Sequence, residues 1–307
     1  MKKIWKAEDI PDLSGKVIVI TGANSGIGFE ATREFARNGA EVIFASRIQE
    51  KAEQAILTLQ QELPGSKLKF IKLDLANLES IRKFAEIFKK NYHHLDILLN
   101  NAGIMLVPYS LTDDGFEKTI GTNHLGHFAL TGLLLDSLIK TPGARVVTVS
   151  SNAHYGGEMD FSNLMFEEKL GYTPMKAYSR SKLANLLFTY ELQRLFQKNS
   201  YDTLALAAHP GISATGLADH LFFNRMTWLI QSLMRIIFQS AAMGALPSMR
   251  AAVDPDALGG QYYGPDGKRE RSGYPIVVDS NEESKNEKSA RQLWKISEEL
   301  TGIQYLV

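Results

Sequence analysis

Short apolar runs alternate along the chain with longer stretches of helical periodicity. "KVIVIT" (16–21) is a β-branched apolar run that ends in glycines, and a helical pattern follows from Ile27 to Asn38 before a turn at Gly39. The unit then repeats: "EVIFAS" reads as a strand, Glu50 to Glu62 as a helix, "KLKFIKL" as a strand and Ser80 to Asn91 as a helix. "LDILLN" continues as a strand, Gly115 to Ile139 as a helix and "ARVVTVS" as a strand. An irregular stretch (152–173) precedes a helix over about 175–198, the strand "TLALAAH", an apolar segment (216–238), a helix from about 240 and "GGQYYGP". Strands separated by helices of ten or more residues need crossover connections. The pattern therefore predicts an α/β fold, a doubly wound parallel sheet covered on both faces. No linker or repeat divides the chain, and "DSNEESKNEKS" (279–289) reads as a solvated loop before a last short helix.

With 44% hydrophobic residues in 307, the chain can bury a continuous core, which excludes a disordered protein. Basic and acidic residues balance at 34 each, so no global field would attract nucleic acid or an anionic membrane. The absence of cysteine excludes disulfides, thiolate metal sites and cysteine nucleophiles. "MKKIWKAEDIPDLSGK" has no apolar run of the signal-peptide kind, and no stretch reaches the ~18 apolar residues of a spanning helix. The expectation is a cytoplasmic protein with no integral membrane segment.

"TGANSGIG" places Gly22, Gly26 and Gly28 between the first strand and its helix. Small residues there let the backbone approach a pyrophosphate while the helix N-terminus offers free N–H donors. The G-x-x-x-G-x-G spacing lacks the G-K-[ST] ending of a P-loop, which argues against an ATPase; a turn that needs positive φ is the plainer alternative. At the end of the second strand, "FASR" offers Ser46 and Arg47 where a carboxylate would bind the ribose 2′-hydroxyl of NAD. A guanidinium can clamp a 2′-phosphate, so the pattern favours NADP(H), unless Arg47 is only a solvated residue opening the next helix.

"TGANSGIG", "LDL" (73–75), "NNAG" (100–103), "TNHLGHF" (122–128), "VSS" (149–151), "YSRSK" (178–182) and "HPG" (209–211) occur in this order. From residue 14 to 265, roughly, the chain resembles a short-chain dehydrogenase/reductase, and its wording is most similar to the retinol-dehydrogenase-like branch, which includes the WW-domain oxidoreductases. The resemblance does not extend to the WW domains or N-terminal anchor that some branch members carry, and the expectation is that their location does not carry over. The resemblance implies one Rossmann-type domain over 1–307 with strand order 3-2-1-4-5-6-7, a substrate lid over about 212–240 and a C-terminal extension over about 266–307. Gly22, Asn24, Ser25, Gly26, Ile27 and Gly28 would form the cofactor loop, with Ser46 and Arg47 at the adenosine ribose. Asp74 and Leu75 would lie at the adenine, Asn101, Ala102 and Gly103 beside the adenosine, and Pro210, Gly211 and Thr215 along the nicotinamide and pyrophosphate. Many family members are dimers or tetramers, which makes a homo-oligomer an expectation by analogy. Light-dependent protochlorophyllide reductases share this layout but are expected to use a cysteine, which is absent.

Tyr178 and Lys182 stand four apart on a helix and so share one face. A phenol that exchanges protons near neutral pH needs its phenolate stabilised, and an adjacent ammonium would lower its pKa. In the mechanism that the resemblance implies, Tyr178 protonates the developing alkoxide, Ser151 donates to the same oxygen, Lys182 also holds the nicotinamide ribose, and Asn123 positions a water that relays protons to the lysine. His124, His127 and His154 form no H-E-x-x-H, so packed or hydrogen-bonded histidines are expected rather than a metal site. "GKRERSG" (267–273) is a basic turn too short to argue for nucleic acid.

The expected function is NADP(H)-dependent hydride transfer between nicotinamide and a carbonyl or alcohol. A non-catalytic NADP-binding regulator on the same fold is the alternative, and it should have lost the tyrosine, lysine or serine. A nucleotide-sugar epimerase would show T-G-x-x-G-x-x-G and a longer C-terminal region. Met226, Leu229, Ile230, Leu233, Met234 and Ile237 repeat at helical spacing after "HPGISAT". As a lid they imply a small lipophilic substrate of the retinoid, steroid or aldehyde type. Core packing, a dimer contact, or a helix lying on a membrane with Arg225 and Arg235 at the headgroups are the alternatives.

Overall fold

The structure, a computed structural model, describes residues 4–212 and 239–305. Thr215 and the apolar segment 216–238 lie outside the described residues, so the lid reading and its alternatives gain nothing from the fold.

Eight strands form one sheet: β1 (Val17–Thr21), β2 (Glu41–Ser46), β3 (Lys67–Lys72), β4 (Ile97–Asn100), β5 (Arg145–Val149), β6 (Leu204–Ala208), β7 (Tyr262–Pro265) and β8 (Pro275–Val278). Their order is 3-2-1-4-5-6-7-8, and all pairings are parallel except β7 with β8. The parallel part has the expected order; the antiparallel β8 adds an edge strand. Ile20 pairs with both Phe44 and Leu99, so β1 is central and the winding reverses between it and β4. In such sheets ligands bind beyond the carboxyl ends of the strands at that reversal.

Both faces of β1 are buried, which is why "VIVI" shows no polar alternation. Ile18 and Ile20 enter one core, with α1 (Gly26–Arg37), α2 (Gln49–Glu62) and a late helix (Ala241–Val253); Val17 and Val19 enter the other. That second core holds α3 (Leu78–Asn91), α5 (Gly126–Ile139) and α6 (Pro174–Lys198). The late helix is α7, and the last helix, α8, is Glu287–Thr301.

Two segments differ from the sequence reading. The expected helix over 115–139 is divided: a short α4 (Lys118–Ile120) leads into a π turn (Gly121–Leu125) and then α5. Glu117 sets the start, because its fully buried carboxylate accepts the N–H groups of Thr119 and Ile120 at 2.9 and 3.0 Å. Residues 279–289 are also more ordered than a solvated loop. Asn281 caps a 3₁₀ turn (Glu282–Lys285), Asn286 caps α8, and α8 runs for 15 residues, burying Ala290, Leu293, Ser297 and Thr301. The tail crosses α5 at Gly132, where a Cβ would stand 2.6 Å from the Tyr305 ring, and the Tyr305 hydroxyl donates to the Phe128 carbonyl at 2.6 Å.

Candidate active site

The glycine loop is closed by short backbone distances. Gly22 and Gly26 have φ of +69° and +55°, and a Cβ on Gly28 would lie 2.4 Å from the Gly22 carbonyl oxygen. Ser25 caps α1 without a side-chain hydrogen bond, leaving the first-turn amides of the helix unblocked by its hydroxyl. Asn24 is half-buried, Ser25 exposed and Ile27 packed into the core.

One hydroxyl organises what lies beneath. Thr21 Oγ1 accepts the N–H groups of Asn101 and Ala102, both at 2.9 Å, and stands 2.9 Å from His127 Nε2. His127 Nδ1 lies 3.0 Å from the Asn123 carbonyl, which only accepts, so Nδ1 carries the hydrogen and Nε2 receives the threonine hydroxyl proton. Burial holds His127 neutral by lowering its pKa to about 4, which suits this arrangement. Thr21 and His127 thus join the ends of β1 and β4 to the π turn. The sequence marks His127 only as a packed or hydrogen-bonded histidine and Thr21 not at all, because the contacts that join them span 80 to 106 residues. Asn101 closes the group by donating from its amide to the Thr21 carbonyl at 2.8 Å.

Asn123 is buried and held twice by Ile104. Its Oδ1 accepts from the Ile104 N–H at 2.8 Å, and its Nδ2 donates to the Ile104 carbonyl at 2.9 Å and to Ser181 Oγ at 3.0 Å. Gly103 makes room for this: a Cβ there would meet Asn123 Oδ1 at 3.2 Å and Lys182 Nζ at 3.6 Å. Gly103, Asn123 and Lys182 are therefore brought together as the motifs imply. On α6, the Lys182 ammonium donates to the Val149 carbonyl at 3.0 Å and stands 5.7 Å from the Tyr178 ring centroid. Ser151 follows β5 and its Oγ accepts from the Ala153 N–H at 3.2 Å.

The electrostatics depart from the expected pairing. Burial raises the Tyr178 pKa, opposed only by a hydrogen bond to Ser151, and burial lowers that of Lys182 to about 8. The expected lowering of the phenol by the ammonium is absent here: Lys182 donates to the Val149 carbonyl, and burial dominates at the tyrosine. Tyr178 is therefore a protonated donor in this state, and Lys182 changes charge close to the neutral range.

Among the remaining residues, Ser46 is buried with an unpartnered hydroxyl, and Arg47 is exposed with no partner among the described residues. The Asp74 carboxylate accepts from the Ala76 N–H at 3.0 Å. Leu75 packs in the core, and a Cβ on Gly126 would lie 2.3 Å from its carbonyl oxygen, so it seats α5. Pro210 and Gly211 follow β6 beside β5. The histidines have protein partners: His124 Nε2 lies 2.9 Å from Ser297 Oγ, and His154 Nδ1 2.7 Å from the Ser151 carbonyl.

A glycine loop at the end of β1 and a Tyr–Lys pair with Ser151 and Asn123 at the ends of β4 to β6 agree with the match of residues 16–224 to the short chain dehydrogenase family, to which the chain belongs. Within that family it is retinol-dehydrogenase-like. It is 42% identical to retinol dehydrogenase 12 of Mus musculus over 295 residues, covering 95% of this chain and 88% of that one. Polyprenol dehydrogenase of Homo sapiens is 39% identical over 300 residues, covering 95% and 87%. A crystal structure of an uncharacterized protein from Mycobacterium Paratuberculosis superposes with a TM-score of 0.83 at 42% identity, covering 99% of this chain and 100% of that one. A short chain dehydrogenase from Shigella flexneri complexed with NADP has a TM-score of 0.64 at 25% identity, covering 82% and 97%. The protein is an oxidoreductase of a family that uses nicotinamide cofactors. No helix among the described residues is long and apolar enough to cross a membrane.

Proposed function

We propose that this protein is an NADP(H)-dependent carbonyl reductase or alcohol dehydrogenase acting on a small lipophilic substrate of the retinoid, steroid or aldehyde type. The observation that carries the reading is the meeting of Gly103, Asn123 and Lys182 with Tyr178 beside the glycine loop. The loop fits a dinucleotide: its glycines admit a close backbone approach and the α1 N-terminus is open, while the orphaned Ser46 hydroxyl and exposed Arg47 at the end of β2 support a 2′-phosphate as the group they would hold. The names of the relatives support a lipophilic alcohol or carbonyl.

The bound nicotinamide supplies or accepts the hydride. Tyr178, kept protonated by burial, donates to the oxygen that becomes the alcohol, and Ser151 hydrogen-bonds the same oxygen. Lys182 contributes its ammonium charge and hydrogen bonds, and Asn123 holds the Ile104 segment beside it. The domain reading is also a proposal: one domain over 1–307, with the lid over about 212–240 and the extension over about 266–307. A homo-oligomer remains part of this reading.

Tyr178→Phe tests it, with NADPH oxidation followed against retinal and a series of aldehydes. The variant should lose roughly a hundredfold or more of turnover while binding NADPH within a few-fold of wild type. Along the aldehyde series kcat/KM should rise up to about fourfold per methylene. A phenylalanine variant that keeps most of its turnover excludes Tyr178 as the acid. A falling series, or preference for small polar carbonyls, excludes the lipophilic substrate.

A further inference from the structure

β6 runs into His209, Pro210 and Gly211 beside Ser151, and the His209 side chain is fully buried. Its Nε2 lies 2.8 Å from Glu270 Oε2, and its Nδ1 lies 3.2 Å from the Gly211 nitrogen. An amide N–H only donates, so Nδ1 carries the lone pair and Nε2 carries the hydrogen that the carboxylate accepts. One neutral tautomer satisfies both neighbours.

Glu270 belongs to the loop between β7 and β8, the segment whose sequence reads only as a basic turn. Arg269 and Glu270 both have φ of +54°, a conformation that disfavours side-chain-bearing residues. Three anchors hold this strain. His209 is one; the Asn152 amide, next to Ser151, donates to the Arg269 and Glu270 carbonyls at 3.3 and 3.5 Å; and the Arg271 carbonyl accepts the Ile212 N–H at 2.8 Å. Two glycines make room. A Cβ on Gly211 (φ +64°) would lie 2.5 Å from the Arg271 oxygen, and one on Gly264 would lie 2.1 Å from His209 Nε2.

We propose that Glu270 and His209 are positioning residues: the carboxylate selects the imidazole tautomer, the imidazole orients the Gly211 amide, and the turn after β6 is thereby set as the wall of the cofactor site beside Ser151. The proposal rests on the oxidoreductase reading above. Neither side chain reaches the reacting atoms; the chain of contacts transmits shape.

Four variants test it: His209→Ala, His209→Asn, Glu270→Ala and Glu270→Gln. Asparagine can accept the N–H two residues onward in an Asx turn, so it restores the Gly211 acceptor without the carboxylate link. His209→Ala should weaken NADPH binding about tenfold in a fluorescence titration without substrate, and raise the KM for NADPH more than it lowers kcat. His209→Asn should stay within about threefold of wild type, and Glu270→Gln should recover what Glu270→Ala loses. In the cofactor-free protein, hydrogen exchange at the Gly211 amide should quicken in both alanine variants and not in the two rescuing ones. Thermal melting establishes that each variant is folded, and Glu270→Ala, altering a partly exposed side chain, serves if His209→Ala does not fold. Unchanged exchange in a folded alanine variant overturns the proposal, as does faster exchange with unchanged affinity. Wild-type protein that binds neither NADPH nor NADH overturns the functional reading and with it the link to a cofactor site, while the exchange data still decide the dyad.

Discussion

The Lys182 ammonium is tethered to the Val149 carbonyl at 3.0 Å, not to the phenol oxygen of Tyr178, whose ring centroid lies 5.7 Å away. Because burial lowers the lysine pKa from 10.5 to about 8, its charge is lost within reach of ordinary assay buffers. In the reductive direction, kcat/KM for NADPH should therefore fall as pH rises through about 8. Lys182→Arg, which keeps its charge, should lose that basic limb even at a lower rate. A limb unmoved by the arginine belongs to another group. The same shift has a stability consequence of definite sign. The unfolded chain binds the extra proton between about pH 8 and 10.5, so this group adds stability as pH climbs through that window, and its burial cost is fully present below it.

Acid should destabilise the fold through two other buried groups. Burial lowers His124 to about 3 and His127 to about 4 from 6.5, so the unfolded chain takes up protons first as pH falls. Their contribution to stability is present above 6.5 and is lost towards these lower values. Between pH 7 and pH 5 each should cost about 2 kcal/mol, measurable by urea unfolding. His124→Leu should remove about half of that pH dependence, and an unchanged dependence would assign it to carboxylates instead.

Gly28→Ala and Gly103→Ala should separate binding from turnover. At residue 28 the new methyl meets the Gly22 carbonyl at 2.4 Å and the Asn101 amide at 2.7 Å, so the loop must shift. A cost of about 1–3 kcal/mol and at least a tenfold weaker NADPH affinity are expected, read by melting and titration. At residue 103 the nearest atoms are Asn123 Oδ1 at 3.2 Å and Lys182 Nζ at 3.6 Å, so that variant should keep its stability and lose turnover.

Arg47 should decide between the two nicotinamide nucleotides. It is exposed and unpartnered among the described residues, so binding a 2′-phosphate breaks no existing ion pair. Arg47→Ala should lose about 1.5 to 3 kcal/mol of NADPH affinity, one to two decades, and leave NADH affinity nearly unchanged. Equal affinities of the wild type for the two nucleotides would remove the argument.

The parallel sheet and the Tyr–Lys pair were legible because their signals are local: an apolar run that ends in glycine, and two residues one helical turn apart. The π turn at Gly121–Leu125 was not, since "GTNHL" has the same apolar spacing as the helix it interrupts. Strand β8 is a run of only four residues, and its antiparallel place at the sheet edge is set by pairing with β7 across a turn rather than by local spacing. Thr21 and the His209–Glu270 pair depend on partners from 61 to 106 residues away, a distance that no spacing rule spans. The rise in the Tyr178 pKa has the same origin, because desolvation depends on everything packed around the ring and not on the residue four positions later.

The crossing of Tyr305 over Gly132 bears on how the chain matures. Synthesis proceeds from the N-terminus, so α5, which follows directly from the turn carrying Asn123, emerges long before residues 303–305. Until then the Phe128 carbonyl lacks its tyrosine donor and the groove at Gly132 stands open beside the core. A nascent chain can pair β1 to β5 early, but β7, β8 and then Tyr305 emerge much later, so the helix that follows the turn carrying Asn123 gains this contact only once the sheet is complete.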